Sequence, residues 1–374
     1  MTARASMRAV VFRRTGEWSC DEVPVPCLEA PDQVLLRVDR IGICGTDLRI
    51  VSIPPGQPAM PGSILGHEYV ASIVESGPAV RDFRFGDRVV VDPHVTCGRC
   101  DYCRLGMSNA CEHMTTLGIF CDGGLAEFNV APARALHRIS RDVPLDHAVL
   151  AEPLSSVLHA FQLAALVPGE RVVILEAGPI GLLLLLVFRW AGAGRVFVVE
   201  ATEVRRRVAA ALGADGTMDA TAEDGAASVR DATGAGADLV VDATGTLLPE
   251  ALALARPGGR VLLLGMNQHA ERPVSKYVVT ADEVSMIGSF IQRTAFPKVV
   301  RVLEAGLLPV ERLITHRVPL EAVGQGFDAL RAGEAIKVVV IPEGASAAPS
   351  GASPGTAAAK PPRGAEHHGV GGSA

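Results

Sequence analysis

Between Gly42 and Glu68 the chain carries Cys44-Gly45-Thr46-Asp47 and then Gly66-His67-Glu68. A thiol, an imidazole and two carboxylates are thus grouped with glycines that let the backbone bend. Thiolate and imidazole are borderline-soft ligands suited to Zn²⁺, and a catalytic zinc takes three protein ligands and leaves one position open. Glu152, in Ala151-Glu152-Pro153-Leu154-Ser155, is a third candidate ligand. Glu68 is a fourth, either a ligand itself or a carboxylate standing behind one. Asp47 is placed to hold the non-ligating nitrogen of His67, the usual way such a ring is oriented. A lone Cys or His is more often a core residue than a ligand, so the metal reading rests on what accompanies these residues elsewhere.

The strongest companion is Cys97, Cys100, Cys103 and Cys111, a C-x2-C-x2-C-x7-C run. Such spacings let thiolates converge on one tetrahedral ion, and four cysteines form a closed, structural zinc set. An iron–sulfur cluster is the competing reading. The bacterial ferredoxin run has three residues before its last Cys and a Pro after it, whereas here there are seven, and Glu112 follows. Cys20, Cys27 and Cys121 are scattered and read as ordinary thiols.

A second chemistry is written into Glu176-Ala177-Gly178-Pro179-Ile180-Gly181. Residues 171–175 read as a buried strand and an apolar helix follows the turn, so Gly178, Pro179, Ile180 and Gly181 stand where a helix N-terminus can bind phosphate. Glu200 closes the next strand 22 positions after Gly178. An acid there accepts hydrogen bonds from adenosine ribose hydroxyls and repels a 2′-phosphate, favouring NAD over NADP. Arg205, Arg206 and Arg207 weaken that preference and keep NADP open, with Arg205 a candidate coenzyme contact, although a solvated helix face explains the three at least as well. The full G-x-G-x-x-G fingerprint would have its first Gly at position 176. Glu176 is expected to weaken the site without destroying it, its Cβ accommodated at negative φ and its carboxylate turned toward solvent or an arginine.

The elements that must position these groups follow from the pattern. Residues 8–12, 33–41, 68–75 and 87–91 are β-branched runs bounded by turn residues, so 8–131 reads as an all-β lobe. From about 148 the character changes: a helix over 148–165, then strands at 171–175, 195–199, 238–242, 260–264 and 284–287 separated by helix-length segments. That alternation gives a doubly wound parallel sheet. Residues 314–319, 322–332 and 336–341 read as strand, helix, strand turning back toward the first lobe, where Lys337 reads by default as a surface lysine or else as a partner for a buried carboxylate such as Glu68. At 374 residues, two domains are expected. With 4% aromatic residues, aliphatic side chains must fill the cores. A formal charge of −6 and no basic cluster argue against a nucleic-acid partner. The longest apolar run, 180–188, is well short of the roughly 20 residues of a membrane span. No apolar signal segment opens the sequence, so a cytoplasmic protein is expected. The Ala/Gly/Pro/Ser-rich stretch after Pro342 cannot offset its ordering entropy and is expected to be disordered.

Taken together, these motifs and the ending Ile336-Lys337-Val338-Val339 resemble the zinc-dependent medium-chain dehydrogenase/reductase family over roughly 7–343, and Glu152-Pro153-Leu154-Ser155 is most similar to its sorbitol/polyol branch. The resemblance implies an α/β protein with a GroES-like catalytic domain at 7–154, completed by 289–343, and a Rossmann NAD-binding domain at 155–288. A lead-in at 1–6 and a tail at 344–374 flank them. It implies one catalytic and one structural zinc, a small alcohol or ketone substrate, no nucleic-acid or membrane partner, and a homodimer or homotetramer. Cys44, Thr46, His67, Glu68 and Glu152 would form the catalytic set, with Thr46 as the hydroxyl that carries the alcohol proton outward. Many relatives have His at the position of Arg49. Arginine stays protonated and shuttles protons poorly, so Arg49 reads either as a solvated arginine or as a contact for an anionic or polyhydroxylated substrate. Leu48, Ile53, Leu117, Phe290 and Gln292 are expected to shape the substrate pocket. A zinc hydrolase without nucleotide and a catalytically retired relative are the other two classes, and NAD binding with hydride transfer separates all three.

Overall fold

The computed structural model describes residues 5–222, 225–267 and 270–342. The segments expected as lead-in and tail therefore lie largely outside the described residues, and the first strand already includes Ser6.

Six parallel strands form one sheet in the order Gly216–Asp219, Arg195–Glu200, Arg171–Leu175, Ala237–Asp242, Ala255–Leu263, Ser285–Gly288. Arg171–Leu175 sits centrally because Val172, Val173, Ile174 and Leu175 are apolar in succession, as a strand covered on both faces requires. The helix Pro179–Trp190 is buried continuously from Gly181 to Phe188. It lies between the sheet and the helix Ala151–Ala164, and Phe161 and Phe188 meet there at a 6.0 Å ring separation. Strand order reverses beside Arg171–Leu175, and in such sheets the ligand crevice opens at the carboxyl ends of the strands at that point. The turn after Ala237–Asp242 lines the crevice. Asp242 shapes it by accepting from the N–H groups of Thr244 and Gly245, both at 2.9 Å, and of Leu247 at 3.0 Å.

The second sheet has seven strands built around Gln33–Gly42 and Glu68–Ser76, which pair antiparallel with two register shifts. Lys337–Ile341 returns from the far end of the chain to pair with Ile41 and Gly42. The carboxyl-terminal segment thereby completes the amino-terminal lobe. Cores of the two lobes are continuous: Val70, Val90 and Val339 belong to one apolar cluster with Leu154, Val157 and Leu183. No described helix is long and apolar enough to cross a membrane.

Two expectations change. The lobe over 8–131 is not purely β, because Gly45–Ile50 and Asp101–Arg104 are short helices that place metal-candidate residues at their starts. Strands Glu17–Pro24 and Gly216–Asp219 were not apparent from apolar runs; both are at sheet edges and only partly buried, so their patterning is weak.

Candidate metal centres and coenzyme cleft

Cys44 follows the strand Gln33–Gly42 and begins the helix Gly45–Ile50. Asp47 fixes that junction by accepting from the Cys44 N–H at 2.8 Å. Its other oxygen faces His67 Nδ1 at 3.5 Å; neither atom has a closer partner among the described residues, and both are buried. That distance is an orienting contact rather than a formed hydrogen bond. His67 is held by close backbone packing behind it: Gly118 has φ +83, and a Cβ there would lie 2.3 Å from the Gly66 carbonyl oxygen. One ligand atom each from Cys44, His67 and Glu68 lies within 4.8 Å of the others. The residues present therefore fit a zinc ion.

Glu68 is 2% exposed and forms an ion pair with Lys337, which is 1% exposed. Lys337 Nζ also donates to the Ile43 carbonyl at 3.0 Å. Burial alone would lower the ammonium's pKa, but Glu68 and then Cys44 outweigh it and raise it. Glu152 enters the same cleft from the first turn of Ala151–Ala164 but stands outside the tight three-residue group. Burial pushes its carboxyl up to about 7, Glu68 adding to the shift while His67, His94 and Lys337 oppose it.

The cleft holds about 290 Å³ and receives Thr46, Ile180, Met266 and Phe290 as well. Of the expected pocket residues, Phe290 lines it; Leu48, Ile53, Leu117 and Gln292 do not. Leu117 belongs to the apolar core of the second sheet and half-buried Leu48 packs against it, Ile53 is exposed, and Gln292 stands behind the wall. There its amide donates to Asp92 at 2.6 Å and reaches His94 Nδ1 at 2.7 Å. His94 was missed in the sequence: it is a lone histidine on a two-residue strand, and nothing nearby marks it. Arg49 is not simply solvated. It donates to the Met266 carbonyl at 2.7 Å, joining the two lobes across the cleft, and lies 3.4 Å from Thr46 Oγ1.

Cys97, Cys100, Cys103 and Cys111 bring four sulfurs within 4.8 Å of one another. The N–H groups of Arg99 and Cys100 point at Cys97 Sγ at 3.5 and 3.3 Å, lowering its pKa to about 6 and favouring the thiolate that a metal requires. Cys20, Cys27 and Cys121 stand apart from this group. Asn109 Nδ2 donates to the Phe290 carbonyl at 2.9 Å, and Ser108 Oγ to that of Arg293 at 3.1 Å. The cysteine lobe thus anchors the segment that presents Phe290 to the cleft.

At the coenzyme turn, Glu200 is 4% exposed and accepts from the N–H groups of Ala177 at 2.8 Å and Thr202 at 2.7 Å. Gly181 is needed for close approach, since a Cβ there would lie 2.0 Å from the Glu176 carbonyl oxygen. Gly178 leads into Pro179 at the first helical position, leaving the N-terminal N–H groups of this helix for a phosphate. The arrangement fits a dinucleotide. Glu176 departs from expectation: its φ is +85, not negative, so the turn keeps the conformation of the missing glycine and strains a residue with a Cβ by about 1–3 kcal/mol. Its carboxylate does meet an arginine, Arg205, at 3.2 Å.

Comparison with known proteins agrees with this geometry. Residues 30–141 match the alcohol dehydrogenase GroES-like domain and residues 179–305 the zinc-binding dehydrogenase domain. The chain is 33% identical over 343 residues to an L-threonine 3-dehydrogenase of Anaeromyxobacter dehalogenans, covering 89% of this chain and 98% of that protein. It is 31% identical to an erythritol/L-threitol dehydrogenase of Mycolicibacterium smegmatis, covering 90% and 98%. A zinc-binding dehydrogenase from Sinorhizobium meliloti, solved bound to NADP, superposes with a TM-score of 0.85 at 31% identity, covering 91% of this chain and all of that one. The chain belongs to the zinc-dependent medium-chain alcohol dehydrogenase family, in which a GroES-like domain is joined to a Rossmann domain.

Proposed function

We propose that this protein transfers a hydride between a secondary alcohol of the polyol, sugar-alcohol or cyclitol type and NAD. The observation that carries the reading is the grouping of Cys44, His67 and Glu68 within 4.8 Å in a cleft that Ile180 of the coenzyme turn also lines. Cys44, His67 and Glu68 would hold a catalytic zinc, with Glu152 facing them, and the four lobe cysteines a structural zinc. A zinc ion in the first set supplies Lewis acidity, which brings the pKa of an alcohol toward neutrality. Thr46 would take the hydroxyl proton through its Oγ1. Arg49 stays charged beside it, so the proton leaves by water or ribose rather than through the guanidinium. Lys337 holds one Glu68 oxygen, leaving the other for the metal side. Glu200 would accept hydrogen bonds from the adenosine ribose. Since the Sinorhizobium relative is bound to NADP, coenzyme choice in this chain rests on its own residues.

A second reading has a specific support. Arg49 projects a guanidinium beside Thr46, which suits a substrate carboxylate, and L-threonine 3-dehydrogenases are among the relatives. The proposed domain division is 7–154 with 289–343 for catalysis and 155–288 for coenzyme, in a cytoplasmic homodimer or homotetramer.

The test is metal analysis together with NADH formation across erythritol, arabinitol, a cyclitol and L-threonine. Two zinc ions per chain and turnover of a polyol support the proposal, and preference for L-threonine selects the second reading. Zinc without any NAD-dependent oxidation contradicts both. Glu200→Ser should narrow the preference for NAD over NADP.

A further inference from the structure

Glu176 keeps a conformation that glycine adopts without strain, so its side chain invites a role. Its carboxylate is 3.2 Å from Arg205 Nη1, and the same nitrogen is 3.8 Å from the Glu200 carboxylate. The neighbouring arginines are committed elsewhere. Arg206 pairs with Glu203 at 3.0 Å and Asp219 at 2.9 Å, and Arg207 with Glu203 at 2.8 Å. Arg205 is therefore the guanidinium held at the acid that closes the second strand, and its buried Nε has no partner among the described residues.

In a dinucleotide site, that acid meets the ribose hydroxyls, while a nearby arginine accommodates the 2′-phosphate of NADP. Glu200 with Arg205 alone would make a neutral pair able to turn its guanidinium to a phosphate. Glu176 alters both terms: it engages the arginine and leaves the cluster with net negative charge.

We propose that Glu176 is a coenzyme-selecting residue, which retains Arg205 between two carboxylates so that the turn admits a ribose diol and rejects a ribose 2′-phosphate. The proposal rests on the NAD-linked reading above. A unit charge about 8 Å from a phosphate at an effective dielectric near 20 changes affinity by about thirtyfold.

Titration calorimetry of the full chain with NAD, NADP and adenosine 2′-monophosphate tests it, comparing the unaltered protein with Glu176→Gln and Glu176→Gly. Each substitution should tighten NADP and adenosine 2′-monophosphate by about thirtyfold and move NAD much less. Adding Arg205→Met to Glu176→Gln should abolish the gain. Equal shifts for NAD and NADP would overturn the proposal, since Glu176 would then act on the shared pyrophosphate. An unmoved ratio, or a gain that survives Arg205→Met, would overturn it too. Failure of the unaltered protein to bind either coenzyme would instead remove the dehydrogenase reading, and the proposal with it; intact NAD binding with an unmoved ratio removes the proposal alone.

Discussion

Lys337→Met removes one member of the ion pair at the base of the proposed catalytic centre. Lys337 and Glu68 are almost wholly excluded from solvent, so no water replaces the ammonium. At about 3 Å and an effective dielectric near 20, the attraction lost is about 5 kcal/mol. With no metal at this site, Glu68 is then left as a buried carboxylate without a cation, and breaking such a pair from one side costs about 3–5 kcal/mol. The site is shaped for this pair: a Cβ on Gly42 would lie 2.4 Å from Glu68 Oε2 and 2.8 Å from Lys337 Cε. The apparent thermal midpoint should fall by about 4–6 °C, measured with the Cys44 site metal-free in both proteins. Removing the stranded charge as well, in Lys337→Met with Glu68→Gln, should recover more than half of the loss. A single variant that loses less than about 1 kcal/mol, or a double variant no better than the single, would refute the reasoning.

The other expectations concern separate parts of the molecule. Cys100→Ser should lose one zinc per chain and lower stability, because a structural site contributes folding energy; Cys44→Ser should lose the other zinc and all turnover while remaining folded. Metal analysis with circular dichroism on both variants checks the pair, and iron with the four cysteines would contradict the assignment. Asn109→Ala removes the bonds to the Phe290 carbonyl and, at 3.1 Å, from Arg293 Nε. It should lower kcat/KM by about tenfold through a displaced cleft wall with zinc content unchanged. Asp238 is held at about 2 because Arg256 and Arg171 outweigh the opposing effect of burial. A depressed carboxylate stabilises the fold above its unfolded value and loses that contribution as pH falls toward about 2. Asp238→Asn should therefore cost about 1–2 kcal/mol near neutrality, allowing for partial solvent screening, and the gap to the unaltered protein should close between pH values of about 4 and 2 in denaturant titrations.

How much of this could be read from the chain depends on whether the signal was local. Arg171–Leu175 and the apolar helix after it declare themselves by composition, because a strand covered on both faces has no polar positions to confuse the pattern. The four-cysteine spacing is local as well. Lys337 lies 269 residues from Glu68, and their pairing was legible only as one option beside an ordinary surface lysine. His94 had no such contrast. The pocket wall was legible at Phe290 and misjudged at Leu48, Ile53, Leu117 and Gln292, since side-chain direction depends on turns that carry no residue code. At Glu176 the side chain suggested a negative φ, but the strand-to-helix geometry prevailed: the tertiary fold imposed a glycine conformation on a glutamate.

Hydride transfer at this cleft is tested most directly with a secondary polyol deuterated at its carbinol carbon, incubated with the zinc-loaded protein and NAD, and followed by mass spectrometry of the reduced coenzyme. Direct transfer predicts one deuterium in each NADH formed, with formation lost in Cys44→Ser. NADH lacking the deuterium, or undiminished turnover in the Cys44→Ser protein, would contradict a zinc-dependent alcohol dehydrogenation at Cys44, His67 and Glu68.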